Sequence, residues 1–90
     1  MTKATGEMVI KNEFGLHARP AAALVSRANK YKSQIFLMKD DNKVNGKSIL
    51  GVLVLAAENG STVTVEAEGE DAEEAVQDIL ELADNKFGTE

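Results

Sequence analysis

The sequence contains no cysteine and a single histidine, and these two shortages exclude several kinds of site. Without cysteine there can be no disulfide, no thiol nucleophile and no thiolate metal ligand. One histidine without any cysteine cannot build a structural zinc site either. We therefore expect no metal site and no bound cofactor, so the chemistry must come from ordinary polar side chains and the backbone.

Long apolar segments are also missing. The longest apolar run covers residues 49–57, well short of the ~20 residues that a membrane-spanning helix needs. The N-terminal residues lack the apolar core of a signal peptide. With 90 residues and 43% hydrophobic composition, the chain is long enough for one modest core. We expect a single domain over residues 1–90, located in the cytoplasm and without membrane insertion.

Charge is divided unevenly along the chain, whose formal net charge is −5. Residues 1–50 hold nine Lys or Arg and four Asp or Glu, a balance of +5. Residues 51–90 hold one Lys and eleven Asp or Glu, a balance of −10. The overall acidity argues against a nucleic-acid partner, because phosphate backbones need a basic surface. The basic first half instead predicts a docking face for acidic protein partners, with salt-sensitive association.

Hydrophobic periodicity predicts alternating short strands and helices. Periodicity does not settle the apolar run at residues 52–55, but Ser48 as a helix cap and Asn59-Gly60 as a stop favour a short helix. The order β-α-β-β-α-β-α predicts an α+β open-faced sandwich, a four-stranded antiparallel sheet with three helices on one face. Strands are expected over residues 7–12, 33–39, 43–45 and 61–68, and helices over residues 17–30, after Ser48, and over residues 71–86.

The last helix has the clearest start signal. Asp71 and Glu74 resemble a capping box, in which each side chain satisfies a backbone N–H of the first turn. We therefore expect the Asp71 carboxylate to cap its own helix.

The sheet face away from the helices is expected to carry Val9, Phe36 and Met38, although a one-sided sheet normally presents polar residues there. Two explanations are open. The C-terminal residues 86–90 could cover part of this face, or the face could mediate weak self-association. We expect a monomer.

The single histidine, His17, lies at the predicted start of the first helix. Backbone N–H groups are unpaired at such a position and the helix dipole is positive there, so a phosphoryl group on the ring would lie over an anion site. Arg19 adds a planar cation that can bind phosphate oxygens. From position alone, a surface or capping histidine is the commoner case. No Ser/His/Asp triad accompanies it, so a self-sufficient hydrolase is not indicated.

Three ordered segments resemble one known family, and the similarity spans nearly the whole chain. They are residues 15–21 (GLHARPA), residues 45–51 (NGKSILG) and residues 67–75 (AEGEDAEEA). They are similar to the active-centre, regulatory-serine and last strand–helix segments of HPr, the histidine-containing phosphocarrier of the bacterial phosphoenolpyruvate-dependent sugar phosphotransferase system. The second segment departs from the usual Gram-positive pattern at Gly46 and Leu50.

The resemblance implies a carrier that is not itself an enzyme. His17 would accept a phosphoryl group on Nδ1 from phosphorylated enzyme I and pass it to a sugar-specific enzyme IIA, with Arg19 stabilising the phosphate. Ser48, by position a plain helix cap worth ~1 kcal/mol, would be a regulatory site for HPr kinase/phosphorylase. Partners would dock on the first helix and the segment after it, on a surface that comprises Ala22, Ser26, Arg27, Lys47, Ile49, Leu50 and Leu53.

Other functions remain open on the residues alone. A nitrogen-branch carrier of the NPr type, or a regulatory protein-binding module of the same fold, would share this architecture. The presence of His17 argues against a module that signals through serine alone, but not against a nitrogen-branch carrier. A small hydrolase similar to acylphosphatase would bind an anion through Arg19 and an asparagine, but no motif supports it.

Overall fold

The computed structural model describes residues 2–90, and its element order confirms the predicted β-α-β-β-α-β-α arrangement. Strand β1 begins earlier than expected, because Lys3 pairs with Glu68 and so extends the β1–β4 ladder beyond the apolar Met8-Val9 pair. The elements are β1 (Lys3–Val9), α1 (Ala18–Ala28), β2 (Gln34–Lys39), β3 (Asn42–Asn45), α2 (Ile49–Leu55), β4 (Thr62–Glu68) and α3 (Ala72–Asp84), followed by a short 3₁₀ turn (Lys86–Gly88).

The four strands form one antiparallel sheet in the order β1-β4-β2-β3. Alternate residues of the central strand β4, such as Val63 and Val65, are fully buried under the helices. Their cross-strand partners Met8 and Leu37 are buried as well. The period of two therefore directs one face of the sheet into the core, as predicted.

Helix α2 resolves the ambiguous apolar run. Val52 and Leu55 are buried in the core, whereas Leu50 and Val54 are 73% and 76% exposed. Residues four apart share a helical face, so this run has one buried and one exposed apolar side. Across residues 2–90, no helix combines the length and the apolar character needed to cross a bilayer.

The C-terminal segment lies on the helical side of the sheet, which excludes the explanation that residues 86–90 cover part of the open face. Phe87 is 2% exposed and packs in the core, where its apolar ring is removed from water. On the open face, Lys43 Nζ lies 4.7 Å from the centre of the Phe36 ring. Val9 remains 47% exposed.

The expected capping box at α3 was also wrong. Asp71 is the N-cap residue, yet its side chain caps nothing in its own helix. Its carboxylate instead accepts hydrogen bonds from the backbone N–H groups of Lys32 and Ser33, both at 2.9 Å, and from the Ser33 hydroxyl. These bonds, led by that of the Ser33 hydroxyl, lower the pKa of Asp71 to about 2.

Candidate functional site

His17 is the N-cap residue of α1 and its side chain is exposed. Its backbone is extended, with φ −80° and ψ −169°, and its carbonyl oxygen accepts the first helical hydrogen bond from Ala21 N at 2.9 Å. The imidazole makes no capping hydrogen bond. The predicted position at the helix start is confirmed, and the ring is left available to a ligand.

The backbone just before His17 is held against the end of α2. Ala56 has a φ of +53° and ends that helix, which brings the Ala57 carbonyl oxygen to 2.9 Å from Leu16 N. Gly15 has a φ of +72°, and a Cβ added there would lie 2.4 Å from the same oxygen. Glycine is therefore required at position 15, both for its backbone conformation and for the close approach.

Two backbone N–H groups are available beside the ring. The first N–H groups of a helix have no partner within it, and the first two residues of α1 are Ala18 and Arg19. The third, Pro20, has no N–H and so leaves no unpaired donor. The Arg19 side chain is exposed and forms no ion pair or hydrogen bond within residues 2–90. Together these donors can bind an anion held on the imidazole.

Phe14 lies beside the histidine, and the sequence reasoning did not single it out. Its ring is 76% exposed and stands edge-on to the imidazole, with 6.2 Å between ring centres and 81° between planes. Leu53 and Glu58 line the same shallow depression. An apolar residue in a polar turn, directly before Gly15 and the histidine, was the signal that could have identified it.

An exposed apolar surface extends from this depression along α2. We call it the α2 surface, and it comprises Phe14, Ile49, Leu50, Leu53 and Val54. The sequence reasoning anticipated three of these residues but missed Phe14 and Val54. Val54 follows Leu50 by four residues, and that helical spacing would have revealed it. Ala22 and Ser26 are exposed on the neighbouring helix α1.

Ser48 caps α2, since its Oγ accepts a hydrogen bond from Gly51 N at 3.2 Å. It lies at the other end of α2 from the depression that contains His17. Just after the C-terminal end of α2, the Ala57 carbonyl oxygen accepts a hydrogen bond from Leu16 N. Just before its N-terminal end, Lys47, the neighbour of Ser48, donates to the carbonyl oxygen of Tyr31, which follows α1. The structure therefore does not bring Ser48 and His17 together, and they lie at opposite ends of the α2 surface.

Two of the three basic residues expected around this surface are already engaged. Lys47 Nζ donates to the Tyr31 carbonyl oxygen at 2.6 Å. Arg27, which was expected on the partner-docking surface, pairs with Asp78 of α3. Asp78 also accepts a hydrogen bond from the Tyr31 hydroxyl, which is the main reason that the pKa of Tyr31 is raised to about 12. Of the three, Arg19 has no partner for its side chain within residues 2–90, so its charge stays available near His17.

Comparisons with known proteins identify the family of this chain. The family described as "PTS HPr component phosphorylation site" matches residues 4–85. Phosphocarrier protein HPr of Cupriavidus necator is 44% identical over 82 residues, which cover 91% of this chain and 92% of the relative. The HPr-like protein Crh of Halalkalibacterium halodurans is 46% identical over 74 residues, which cover 82% and 88%.

The fold comparison points the same way. The crystal structure of HPr-C-His from Thermoanaerobacter tengcongensis is 49% identical in sequence and superposes with a TM-score of 0.88. The match covers 100% of this chain and 99% of that one. Since both the sequence and the fold match over most of the chain, it belongs to the HPr family of phosphocarrier proteins.

Proposed function

We propose that this chain receives a phosphoryl group on His17 from phosphorylated enzyme I and delivers it to a sugar-specific enzyme IIA. The observation that carries this proposal is the exposed imidazole at the N-cap of α1, beside the unpaired amides of Ala18 and Arg19. Membership of a phosphocarrier family supports it. The chain then acts stoichiometrically, and turnover depends on its partners.

The transfer is a displacement at phosphorus. A lone pair on the His17 ring forms the new nitrogen–phosphorus bond, while the bond from phosphorus to the donor breaks and the donor keeps that electron pair. In the next step the acceptor attacks and His17 leaves with its own pair. Throughout, the phosphoryl oxygens accept hydrogen bonds from the Ala18 and Arg19 amides and from the Arg19 guanidinium. We propose Nδ1 as the acceptor atom, as the family resemblance implies.

The α2 surface supplies the docking site in this proposal, together with Ala22 and Ser26 on α1. Apolar exposure of this extent is typical of protein-binding sites. The surface adjoins His17, so a partner that covers it brings its own reacting group to the imidazole. Lys47 and Arg27 contribute mainly by holding the ends of the helices, since both side chains are engaged.

Phosphoenolpyruvate-dependent labelling tests the carrier function directly. We expect one acid-labile phosphoryl group per chain in the presence of enzyme I, and none in His17→Ala. Undiminished labelling of His17→Ala would overturn the proposal. Running enzyme I from the sugar branch and from the nitrogen branch side by side distinguishes the proposed pathway from a carrier of the NPr type.

We further propose that Ser48 is a regulatory phosphorylation site for HPr kinase. A phosphate at a helix N-terminus is compatible with the helix dipole, so the fold is expected to persist. The added negative charge lies beside Ile49 and Leu50, which weakens docking of enzyme I. Incubation with HPr kinase and ATP should place acid-stable phosphate on the native chain and none on Ser48→Ala. Equal labelling of the two would refute the assignment.

A second candidate function is a protein-binding module that is regulated through Ser48. The similarity to the HPr-like protein Crh of H. halodurans favours it. The two functions separate in one comparison: a carrier loses its activity in His17→Ala, whereas a binding module keeps its partner affinity in that variant and loses its regulation in Ser48→Ala.

A further inference from the structure

The loop between β1 and α1, which ends at His17, is held by the C-terminal residues. Asn12 in this loop is fully buried, and its Nδ2 donates to the Lys86 carbonyl oxygen at 3.0 Å and to Thr89 Oγ1 at 3.1 Å. The next backbone N–H, that of Glu13, donates to the Glu90 carboxylate at 3.0 and 3.2 Å. The C-terminal residues thus contact the loop at two consecutive positions.

Asn12 is also tied to the rest of the loop. Its backbone carbonyl oxygen accepts hydrogen bonds from Gly15 N and from Asn59 Nδ2, both at 3.0 Å. Asn59 belongs to the loop between α2 and β4. Through its side chain and its backbone carbonyl group together, Asn12 therefore joins three segments of the chain, and only residues 13–16 separate it from His17. The bond from Gly15 N to the Asn12 carbonyl oxygen connects Asn12 to the residue two positions before His17.

Two features of this junction cost stability. Asn12 Oδ1 is buried without a hydrogen-bond partner. Lys86 and Phe87 both have left-handed backbones, with φ of +53° and +56°. Unpaired buried acceptors and strained non-glycine residues are unfavourable and tend to persist at functional sites. Burial of Phe87 by itself requires neither the Asn12 amide nor the Glu90 carboxylate, so core packing does not account for these contacts.

We propose that residues 86–90 act through Asn12 and Glu13 to position His17 and the adjacent amides for phosphoryl transfer. Asn12, Thr89 and Glu90 are then positioning residues, since none of them has to touch the phosphoryl group. The inference rests on the proposed carrier function. Small displacements of reacting groups reduce rates strongly, even when every reacting group is present.

The test uses the full chain with Thr89→Val, which removes one of the two acceptors of Asn12 Nδ2, and Glu90→Ala, which removes the side-chain acceptor of Glu13 N. Glu90→Gln keeps one acceptor oxygen and should restore part of the effect. Thr5→Val on β1 and Glu68→Ala on β4, at exposed positions of the sheet away from this loop, are the matched controls. Two quantities are measured: amide hydrogen exchange at Gly15 and Leu16, and the kcat and KM of enzyme I for the carrier.

We expect both variants to exchange the Gly15 and Leu16 amides about tenfold faster. We expect kcat to fall about threefold to tenfold with little change in KM, because four of the five residues of the α2 surface lie on α2, outside the loosened loop. Unchanged exchange, or faster exchange with unchanged kcat, would overturn the proposal. If the native chain accepts no label, the carrier function itself fails, while the exchange at Gly15 and Leu16 still decides whether the C-terminal residues position the loop.

Discussion

At the scale of single residues, the site depends on what surrounds His17 more than on the imidazole itself. An exposed histidine has no special affinity for phosphate. In the proposed carrier, two amides and one guanidinium without a partner in residues 2–90, all within one helical turn, supply that affinity, because each is a donor that water would otherwise satisfy. Gly15 is needed for the same arrangement, since a side chain there would collide with the Ala57 carbonyl oxygen.

Arg19→Ala should slow phosphoryl transfer by roughly tenfold, equivalent to about 1.4 kcal/mol, without affecting folding. The side chain is exposed and holds no other group, so its removal costs no packing. Stopped-flow transfer from phosphorylated enzyme I measures the rate, and urea denaturation measures the free energy of unfolding. Lys30→Ala, at an exposed basic residue just after α1, is the control. Equal rates for the two variants would show that Arg19 plays no part.

Asp71→Asn should reduce stability at neutral pH and change the acid dependence of unfolding. Because the folded-state pKa is lowered from 3.8 to about 2 by the Ser33 hydroxyl and the neighbouring amides, the ionised carboxylate stabilises the fold above pH 3.8. That stabilisation is lost as the pH falls from 3.8 towards about 2. The difference in free energy of unfolding between the native chain and the variant should therefore shrink over that interval. Asp41→Asn, at an exposed turn position, should show no such trend.

At the scale of elements, helix α2 performs two tasks with one apolar sequence. Val52 and Leu55 close the core, and the other apolar residues of the helix form the exposed α2 surface, which is the proposed docking site. A seven-residue helix can do both because 3.6 residues per turn place its apolar side chains on opposite sides. The two candidate functional residues lie at opposite ends of this helix, with His17 near its C-terminal end and Ser48 at its N-terminal end.

Leu50→Ser and Val54→Ser should each weaken enzyme I binding by about tenfold while changing the free energy of unfolding by less than about 0.5 kcal/mol. Both side chains are about three-quarters exposed, so the fold loses little when they become polar. Isothermal titration calorimetry and urea denaturation give the two quantities. Val9→Ser makes the same change on the open face of the sheet, and it should leave binding unaltered. A loss of binding in Val9→Ser as large as in the α2 variants would contradict a localised docking surface.

At the scale of the whole molecule, the charge division has a different meaning in three dimensions. The basic half of the chain contains His17 and α1, but several of its charges are engaged: Arg27 with Asp78, and Lys3 and Lys43 with Glu66. The docking side therefore carries fewer unengaged positive charges than the balance of +5 suggests. Much of the excess acid lies on α3, from Glu73 to Asp84.

Association with enzyme I should slow as salt is added, since exposed charges are screened beyond about 10 Å at 0.1 M ionic strength. The association rate should fall several-fold between about 0.05 and 0.5 M salt. Arg19→Ala should flatten this dependence, and Lys39→Ala, on β2, should not. An association rate that is constant across this range would exclude electrostatic steering by this face.

The local elements were predictable from sequence because their signals are local. Apolar periodicity, the cap at Ser48 and the turn before His17 each involve residues within a few positions of one another, and they fixed the element order and the place of the histidine. The exposed side of α2 was predicted only in part. A short apolar run does not itself show which side of the helix faces the core, so Val54 was missed.

What the sequence determined by itself was a fold class, a histidine at a helix start and a family resemblance. The tertiary structure decided the partners of Asp71, Arg27 and Lys47, and the place of Phe87 on the helical side of the sheet. The physical reason is the separation of the groups along the chain. Asp71 meets Ser33 across 38 positions, and Asn12 meets Thr89 across 77. Contacts at such separations leave no local pattern, because packing of the whole chain selects them.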